Sequence, residues 1–171
     1  MRKTKIITFC ALMAALSVTI LLLGNLLEVL DLTTVIITAL FILIAREEIG
    51  NKSFGVYVTT LVIAVILLSN KLIAVEYGVI CLYPYLKTLF DKMALYVRWL
   101  VKLIYFLVGA LAMVLVMKVF TPDSPHYLDI AFLVAFIVVF LLYDRLLFKF
   151  VLYYRFKLRN KLRLDKFFNQ K

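Results

Sequence analysis

The sequence predicts an all-α membrane protein, a bundle of six transmembrane helices with both termini in the cytoplasm. Its composition is the first reason: 65% of the 171 residues are hydrophobic, and the mean hydropathy is +1.05. An ordinary soluble domain is about 45–50% apolar, so a soluble fold of this length would expose much of the excess to water. The spacing of the apolar segments and the distribution of basic residues are the other two reasons.

Six apolar segments follow one another along the chain. They cover residues 6–23, 32–45, 54–68, 72–86, 103–117 and 127–143. Several are shorter than the roughly 20 residues that cross a 30 Å hydrocarbon core, although Lys102 and Lys118 can extend the fifth by reaching toward the headgroups. The start, "MRKTKIITFCALMAAL", is similar to a signal peptide, but no convincing small-x-small cleavage site precedes Gly24, and more apolar segments follow. We therefore expect an uncleaved first span.

The basic residues give an independent test of this count. With six crossings and a cytoplasmic N-terminus, 18 of the 20 lysines and arginines lie inside, and only Lys71 and Lys118 lie outside. Basic residues near span ends resist translocation and so set orientation, whereas five crossings would leave the basic tail outside. The sequence thus predicts a six-helix transmembrane domain, residues 1–145, and a basic cytoplasmic tail, residues 146–171.

The formal net charge of +10 raises the question of nucleic-acid binding. In the tail, "RFKLRNKLRLDK" alternates basic and apolar residues, which gives no clean helical face, and no motif that reads nucleic acid is present. We expect no nucleic-acid partner. The tail is instead typical of a polybasic segment held against anionic lipid, so the bilayer is the predicted partner.

Residues 87–102 are predicted to form an amphipathic helix at the cytoplasmic surface, between spans four and five. At helical spacing, Lys87, Asp91, Arg98 and Lys102 lie on one side of such a helix. The helix would serve either as a simple surface connector or as a docking surface for a partner.

Pro84 lies near the cytoplasmic end of the fourth span, in "YGVICLYPYLKTLFDK". A proline inside a helix has no N–H to donate, so it frees the carbonyl of Ile80. In a bilayer, neighbouring helices or waters must satisfy that carbonyl. We expect a helix bend at Pro84 that turns the chain into the surface helix.

Several classes of function are disfavoured. The predicted spans hold almost no ionisable residues at mid-depth, which argues against ion-coupled transport by this chain alone. The phosphate-binding loop and the H-E-x-x-H and G-x-S-x-G motifs are absent. Cys10 and Cys81 lie in apolar runs without a C-x-x-C pair, and His126 is predicted in a loop or at a helix start. We therefore expect no enzyme activity, no cofactor and no metal.

Polar residues collect in the predicted outer loops, in "GNLLEVLDLTT" and "SNKLIAVEYG". If these side chains converge, they form an outward-facing pocket for a cationic or hydrogen-bonding small molecule. The candidate substrate-binding residues are Asn25, Glu28, Asp31, Asn70, Glu76 and Tyr77. The alternative is that the polar residues are helix caps, with Asp31 or Thr33 at span two and Ser69 or Asn70 at span four.

Small residues four positions apart occur in two spans: Ala11 and Ala15 in the first, Gly55 and Thr59 in the third. Such pairs let membrane helices approach closely, so they are the candidate partner interface. Packing inside the chain itself would explain them equally well.

Six short spans, a basic N-terminus, the Ala11–Ala15 pair and the polar outer loops together resemble the S components of energy-coupling factor transporters. The resemblance implies that the chain captures a small molecule, of a vitamin-like or metal-like class, from outside. A membrane coupling subunit would pack on the small-residue faces, and two cytoplasmic ATPase subunits would supply energy. The "YGVICLYPYLK" stretch also resembles uncharacterised six-span membrane proteins of low-GC Gram-positive bacteria, so the expected location is the bacterial cell membrane.

The rival hypothesis is a non-transport membrane protein, a scaffold or assembly factor. In that case the basic tail and the segment 87–102 would bind lipid or partner proteins.

Overall fold

The structure, a computed structural model, describes residues 2–27, 31–120 and 126–159. Throughout these ranges the secondary structure is helical, without a β-strand. The α-helices are α1 (Arg2–Leu27), α2 (Asp31–Ile49), α3 (Phe54–Leu67), α4 (Lys71–Phe90), α5 (Leu95–Phe120) and α6 (His126–Tyr153). A short 3₁₀ turn, Gly50–Ser53, joins α2 to α3, and a π-type turn, Tyr154–Leu158, extends α6. The predicted all-α fold is confirmed, and His126, which the sequence placed in a loop or at a helix start, is the first residue of α6.

Within the described ranges, two stretches are long and apolar enough to cross a membrane, Thr4–Leu27 in α1 and Leu95–Val116 in α5. This finding agrees weakly with a membrane location. By contrast, α3 has 14 residues, fewer than the roughly 20 that cross a typical hydrocarbon core.

The helix α4 lies at the centre of the bundle, against α2, α3 and α5. Large apolar side chains are exposed on the other five helices, for example Ile7, Ile37, Val62, Leu103 and Leu142, but on none of the described side chains of α4. Because α4 is enclosed, any of its polar groups that lacks a partner within the helix must find one on a neighbouring helix. Its tyrosines Tyr77 and Tyr83 are fully buried.

Hydroxyl groups from three different helices donate to three consecutive carbonyls of α4. The pairs are Tyr57 of α3 with Gly78 (3.0 Å), Tyr105 of α5 with Val79 (2.5 Å) and Tyr143 of α6 with Ile80 (3.2 Å). The last carbonyl is the one that Pro84 leaves without its helical N–H. The neighbouring helix α6 therefore supplies, through Tyr143, the donor that the proline removes.

Pro84 does not end α4, which continues to Phe90. Only residues 91–94 then separate α4 from α5, which begins at Leu95. The predicted surface helix over residues 87–102 is therefore wrong: its first turn belongs to α4 and its last two turns to α5. The physical reason is that the carbonyls beside Pro84 have other donors, Tyr143 for Ile80 and Arg46 for Pro84 itself. The predicted bend at Pro84 thus leads into no surface helix.

A close contact joins α1 to α2 near the outer end. A Cβ atom on Gly24 would lie only 2.3 Å from the Oγ1 of Thr34, so glycine permits this approach. At the other end of α2, Gly50 has a φ of +68°, a left-handed conformation that glycine adopts without strain.

The first part of the predicted tail continues α6 and is bound to the end of α2. Arg155 contacts the carboxylate of Glu47 at 2.7 Å, and Arg159 contacts that of Glu48 at 3.0 Å. The Tyr154 hydroxyl donates to Glu48 at 2.8 Å. Residues 160–171 of the tail lie outside the described residues.

Candidate functional site

The C-terminal end of α1 and the N-terminal ends of α2 and α4, which the sequence predicts to face outward, meet at one polar cluster. Asn25, in the last turn of α1, accepts a hydrogen bond from the backbone N–H of Asn70 at 3.0 Å. The side-chain amide of Asn70 donates in turn to the carboxylate of Asp31, the first residue of α2, at 3.3 Å. Three of the predicted site residues, separated by up to 45 positions in the chain, are thus brought together. We call Asn25, Asp31, Asn70 and Glu76 the outer cluster.

Glu76 lies in the second turn of α4, and we include it in this cluster because its carboxylate and that of Asp31 repel each other. The Oε2 atom of Glu76 is buried and has no hydrogen-bond partner among the described residues. A buried carboxylate oxygen without a donor is costly. The carboxylates of Glu76 and Asp31, together with this unsatisfied oxygen, favour binding of a cation or a hydrogen-bond donor.

Lys71 is the basic residue closest in sequence to these carboxylates. Its ammonium group donates instead to the backbone carbonyls of Val65 and Leu68, at 2.7 and 2.8 Å. These carbonyls belong to the end of α3, where cations are favoured by the helix dipole. The lysine is therefore engaged in capping α3.

The capping alternative is confirmed for Asn70. Its Oδ1 atom accepts the backbone N–H of Leu72 at 3.0 Å, as an N-cap of α4 does. Since the same side chain also donates to Asp31, capping and membership of the outer cluster do not exclude each other.

Tyr77 does not join the outer cluster. Its ring stacks on that of Tyr57 at 5.7 Å, and its hydroxyl donates to the Tyr57 carbonyl at 3.3 Å. It therefore lies in the packed contact between α3 and α4, on another face of α4 from Glu76. Glu28, the remaining predicted site residue, lies outside the described residues.

A second polar cluster joins α4, α5 and α6, and the sequence grouped three of its members, Lys87, Asp91 and Lys102, but neither Asp144 nor Tyr83. Asp144 of α6 contacts Lys87 of α4 at 2.5 Å and Lys102 of α5 at 3.1 Å. It also accepts a hydrogen bond from Tyr83 at 2.7 Å. Lys102 contacts a further carboxylate, that of Asp91, at 3.5 Å. We call these five residues the inner cluster.

The inner cluster explains why its charges are tolerated in a largely apolar bundle. The side chain of Lys102 is only 9% exposed, and those of Lys87 and Asp144 are 12% and 18% exposed. A charge in such surroundings is stable only if it is paired and hydrogen-bonded. Asp144 follows directly on the last apolar segment, so the sequence alone gave it no distinction from an ordinary charged span end. The feature that could have revealed it is its charge, which is complementary to that of the two lysines, Lys87 and Lys102, next to the apolar segments of α4 and α5.

The candidate partner residues face outward. Ala11 and Ala15 are exposed on α1, and Gly55 and Thr59 are exposed on α3. A Cβ atom on Gly55 would meet nothing within 4 Å. The described residues therefore leave these four side chains largely uncovered, and lipid or a partner can cover them.

Among the residues that the structure describes, no group of three or more His, Cys, Asp or Glu side chains is arranged to hold a metal. Cys10 and Cys81 are free thiols.

Comparison with family models, with curated proteins and with solved structures finds no match to this chain.

Proposed function

We propose that the chain crosses the bacterial cell membrane six times, with both termini in the cytoplasm. Each predicted apolar segment coincides with one of the six α-helices in the described ranges. Charged side chains lie at the end of α2, where Arg46, Glu47 and Glu48 follow its apolar segment, and Asp144 directly follows the apolar segment of α6. The positive-inside distribution supports the same orientation.

We further propose that the chain is the substrate-binding subunit of an uptake transporter, similar to the S components of energy-coupling factor systems. The observation that carries this proposal is the outer cluster, in which three helices contribute Asn25, Asp31, Asn70 and Glu76. Two carboxylates with neighbouring amides suit a small cationic molecule that also donates hydrogen bonds. The outward orientation of Ala11, Ala15, Gly55 and Thr59 supports docking of a membrane coupling subunit, to which ATPase subunits would bind.

Ligand-induced thermal stabilisation of the purified protein tests this proposal. A panel of primary amines, quaternary ammonium compounds and cationic vitamins would be screened, with native mass spectrometry to identify any retained molecule. A ligand present at 100 times its Kd stabilises the folded state by about 2.7 kcal/mol. We expect Glu76→Gln and Asp31→Asn to abolish the shift.

Asp91→Asn is the matched control, since it removes one carboxylate at the other end of the bundle, 43% exposed. It should keep the full shift. A ligand whose stabilisation survives both Glu76→Gln and Asp31→Asn would exclude the outer cluster as its site.

A membrane scaffold is the second candidate function, and the cytoplasmic ion pairs favour it. Glu47 and Glu48 bind Arg155 and Arg159, which fixes the start of the basic segment to the bundle. Purification from cells that express coupling and ATPase subunits separates the two candidates. Recovery of those subunits, and their loss on Ala11→Leu with Ala15→Leu, supports the transporter; recovery of other partners without them supports the scaffold.

A further inference from the structure

Two grooves on the cytoplasmic half of α6 meet at the same two residues. The first, of about 420 Å³, lies between α5 and α6 and is lined by side chains that include Trp99 and Leu103. The second, of about 620 Å³, continues along α6 past Lys149. Leu142 and Arg145 line both grooves. Together they form one continuous surface, which we call the α6 groove.

The α6 groove is apolar at one end and basic at the other. Phe106 and Val138 line it toward the middle of the two helices, while Arg145 and Lys149 line it toward the cytoplasmic end. Trp99, which is 55% exposed, lies at the same end as the basic residues. Tryptophan and arginine at one level, above apolar walls, are typical of the boundary between headgroups and acyl chains.

The positive charge at this end of the groove has no acidic partner among the described residues. Arg145 and Lys149 are exposed, lie one helical turn apart on α6, and bind no carboxylate among the described residues. Asp144 and Lys102 also line the groove, and the carboxylate of Asp144 is bound by Lys87 and Lys102. Two ammonium groups already surround that single negative charge, so it does not neutralise Arg145. The groove therefore has complementary charge for an anion.

We infer that the α6 groove binds an anionic glycerophospholipid of the inner leaflet. Its phosphate lies between Arg145 and Lys149, and one acyl chain occupies the apolar groove between α5 and α6. The polarity of the groove matches that of the lipid from end to end, and basic pockets between helices on the cytoplasmic side are suited to such headgroups. The inference requires that this end of α6 lie at a membrane surface; it requires nothing of the outer cluster.

Native mass spectrometry with defined lipids tests the inference. The full chain, delipidated in detergent, is titrated with phosphatidylglycerol or with phosphatidylethanolamine carrying the same acyl chains. We expect retention of phosphatidylglycerol in preference to phosphatidylethanolamine. The combined substitution Arg145→Gln and Lys149→Gln should weaken phosphatidylglycerol binding by about fivefold for each basic residue removed.

Lys52→Gln with Lys92→Gln is the matched control, because both lysines are exposed and lie in the connections at the same end of the bundle. It removes equal charge and should leave binding unchanged. Equal weakening in the control, equal retention of both lipids, or unchanged binding after loss of Arg145 and Lys149 would overturn the inference. So would a protein that copurifies in place of lipid and is released by the same substitutions.

An apolar substitution tests independently whether an acyl chain occupies the apolar part of the groove. It also replaces the charge variant as the test if that variant does not fold. Leu142→Trp adds bulk where the two grooves meet. It should reduce retention of phosphatidylglycerol without changing any charge. Full retention in this variant would place the lipid elsewhere and contradict the inference.

Discussion

The hydroxyl of Tyr143 in α6 donates to the carbonyl of Ile80 in α4, across 3.2 Å. This carbonyl lacks its usual helical donor because Pro84, four residues later, has no N–H. Both partners are buried. A residue 63 positions away thus completes the hydrogen bonding that a proline interrupts, and the two helices are joined at that point.

Tyr143→Phe should destabilise the bundle by about 1–3 kcal/mol, because it leaves a buried carbonyl without a donor. The loss should be smaller when Pro84→Ala is also present, since alanine restores the helical N–H to Ile80. A double-mutant cycle of unfolding in detergent measures this coupling. Tyr96→Phe, at a side chain that is 87% exposed, is the control and should have no effect. Equal losses with and without Pro84→Ala would disprove the coupling.

Asp144→Asn should destabilise the protein by roughly 3 kcal/mol, because it leaves Lys87 and Lys102 facing each other without their shared carboxylate. Asp91→Asn is the comparison: Asp91 is 43% exposed and its ion pairs, at 3.5 and 4.0 Å, are longer. Its loss should cost less than about 1 kcal/mol. Thermal unfolding of both variants in the same detergent gives the difference. Similar losses would mean that the inner cluster contributes no more than surface ion pairs.

The inner cluster also predicts a dependence on pH. Burial alone would raise the pKa of Asp144, but hydrogen bonds from Lys87, Tyr83 and Lys102 outweigh burial, so its pKa lies below the ordinary value of 3.8. The unfolded chain therefore binds this proton at a higher pH than the folded chain does. The stability that Asp144 contributes is fully present above its ordinary pKa. It should fall as the pH drops from about 4 through the lowered pKa. Asp144→Asn should reduce this loss of stability at low pH. An unchanged loss in that variant would mean that other carboxylates cause it.

Gly24→Ala should destabilise the packing of α1 on α2, since its Cβ would lie 2.3 Å from the Oγ1 of Thr34. Overpacking of this kind costs about 1–3 kcal/mol. Gly55→Ala is the matched control, because its Cβ meets nothing within 4 Å. Alanine is the better helix former by about 1 kcal/mol, so Gly55→Ala should be neutral or stabilising. Two variants of equal stability would show that the α1–α2 contact can relax.

Much of the outer cluster was predictable because helix ends can be read from local sequence. Asn25, Asp31, Asn70 and Glu76 were identified as polar residues beside apolar segments, and the structure brings them together. Tyr77 was grouped with them because it follows Glu76 in sequence. Adjacent residues on a helix point about 100° apart, so the two side chains lie on different faces.

The inner cluster was only half predicted. The sequence grouped Lys87, Asp91, Arg98 and Lys102 on one helix, and they do lie close together, but on either side of a turn between α4 and α5. Asp144, which holds Lys87 and Lys102, was missed. Its partners belong to other helices, and no local pattern relates a position in α6 to one in α4 or α5.

The sequence by itself determined the helical fold and the polar and basic ends of the chain. Hydrophobic segments and charge are local properties, and each acts on its own helix. The tertiary structure alone decided that Tyr143 donates to the carbonyl of Ile80, that Asp144 binds two lysines and that Ala11 and Gly55 face outward. These relationships depend on which helices are neighbours and at what height they meet. Side-chain packing across the bundle fixes both, and the order of residues along a single helix does not record them.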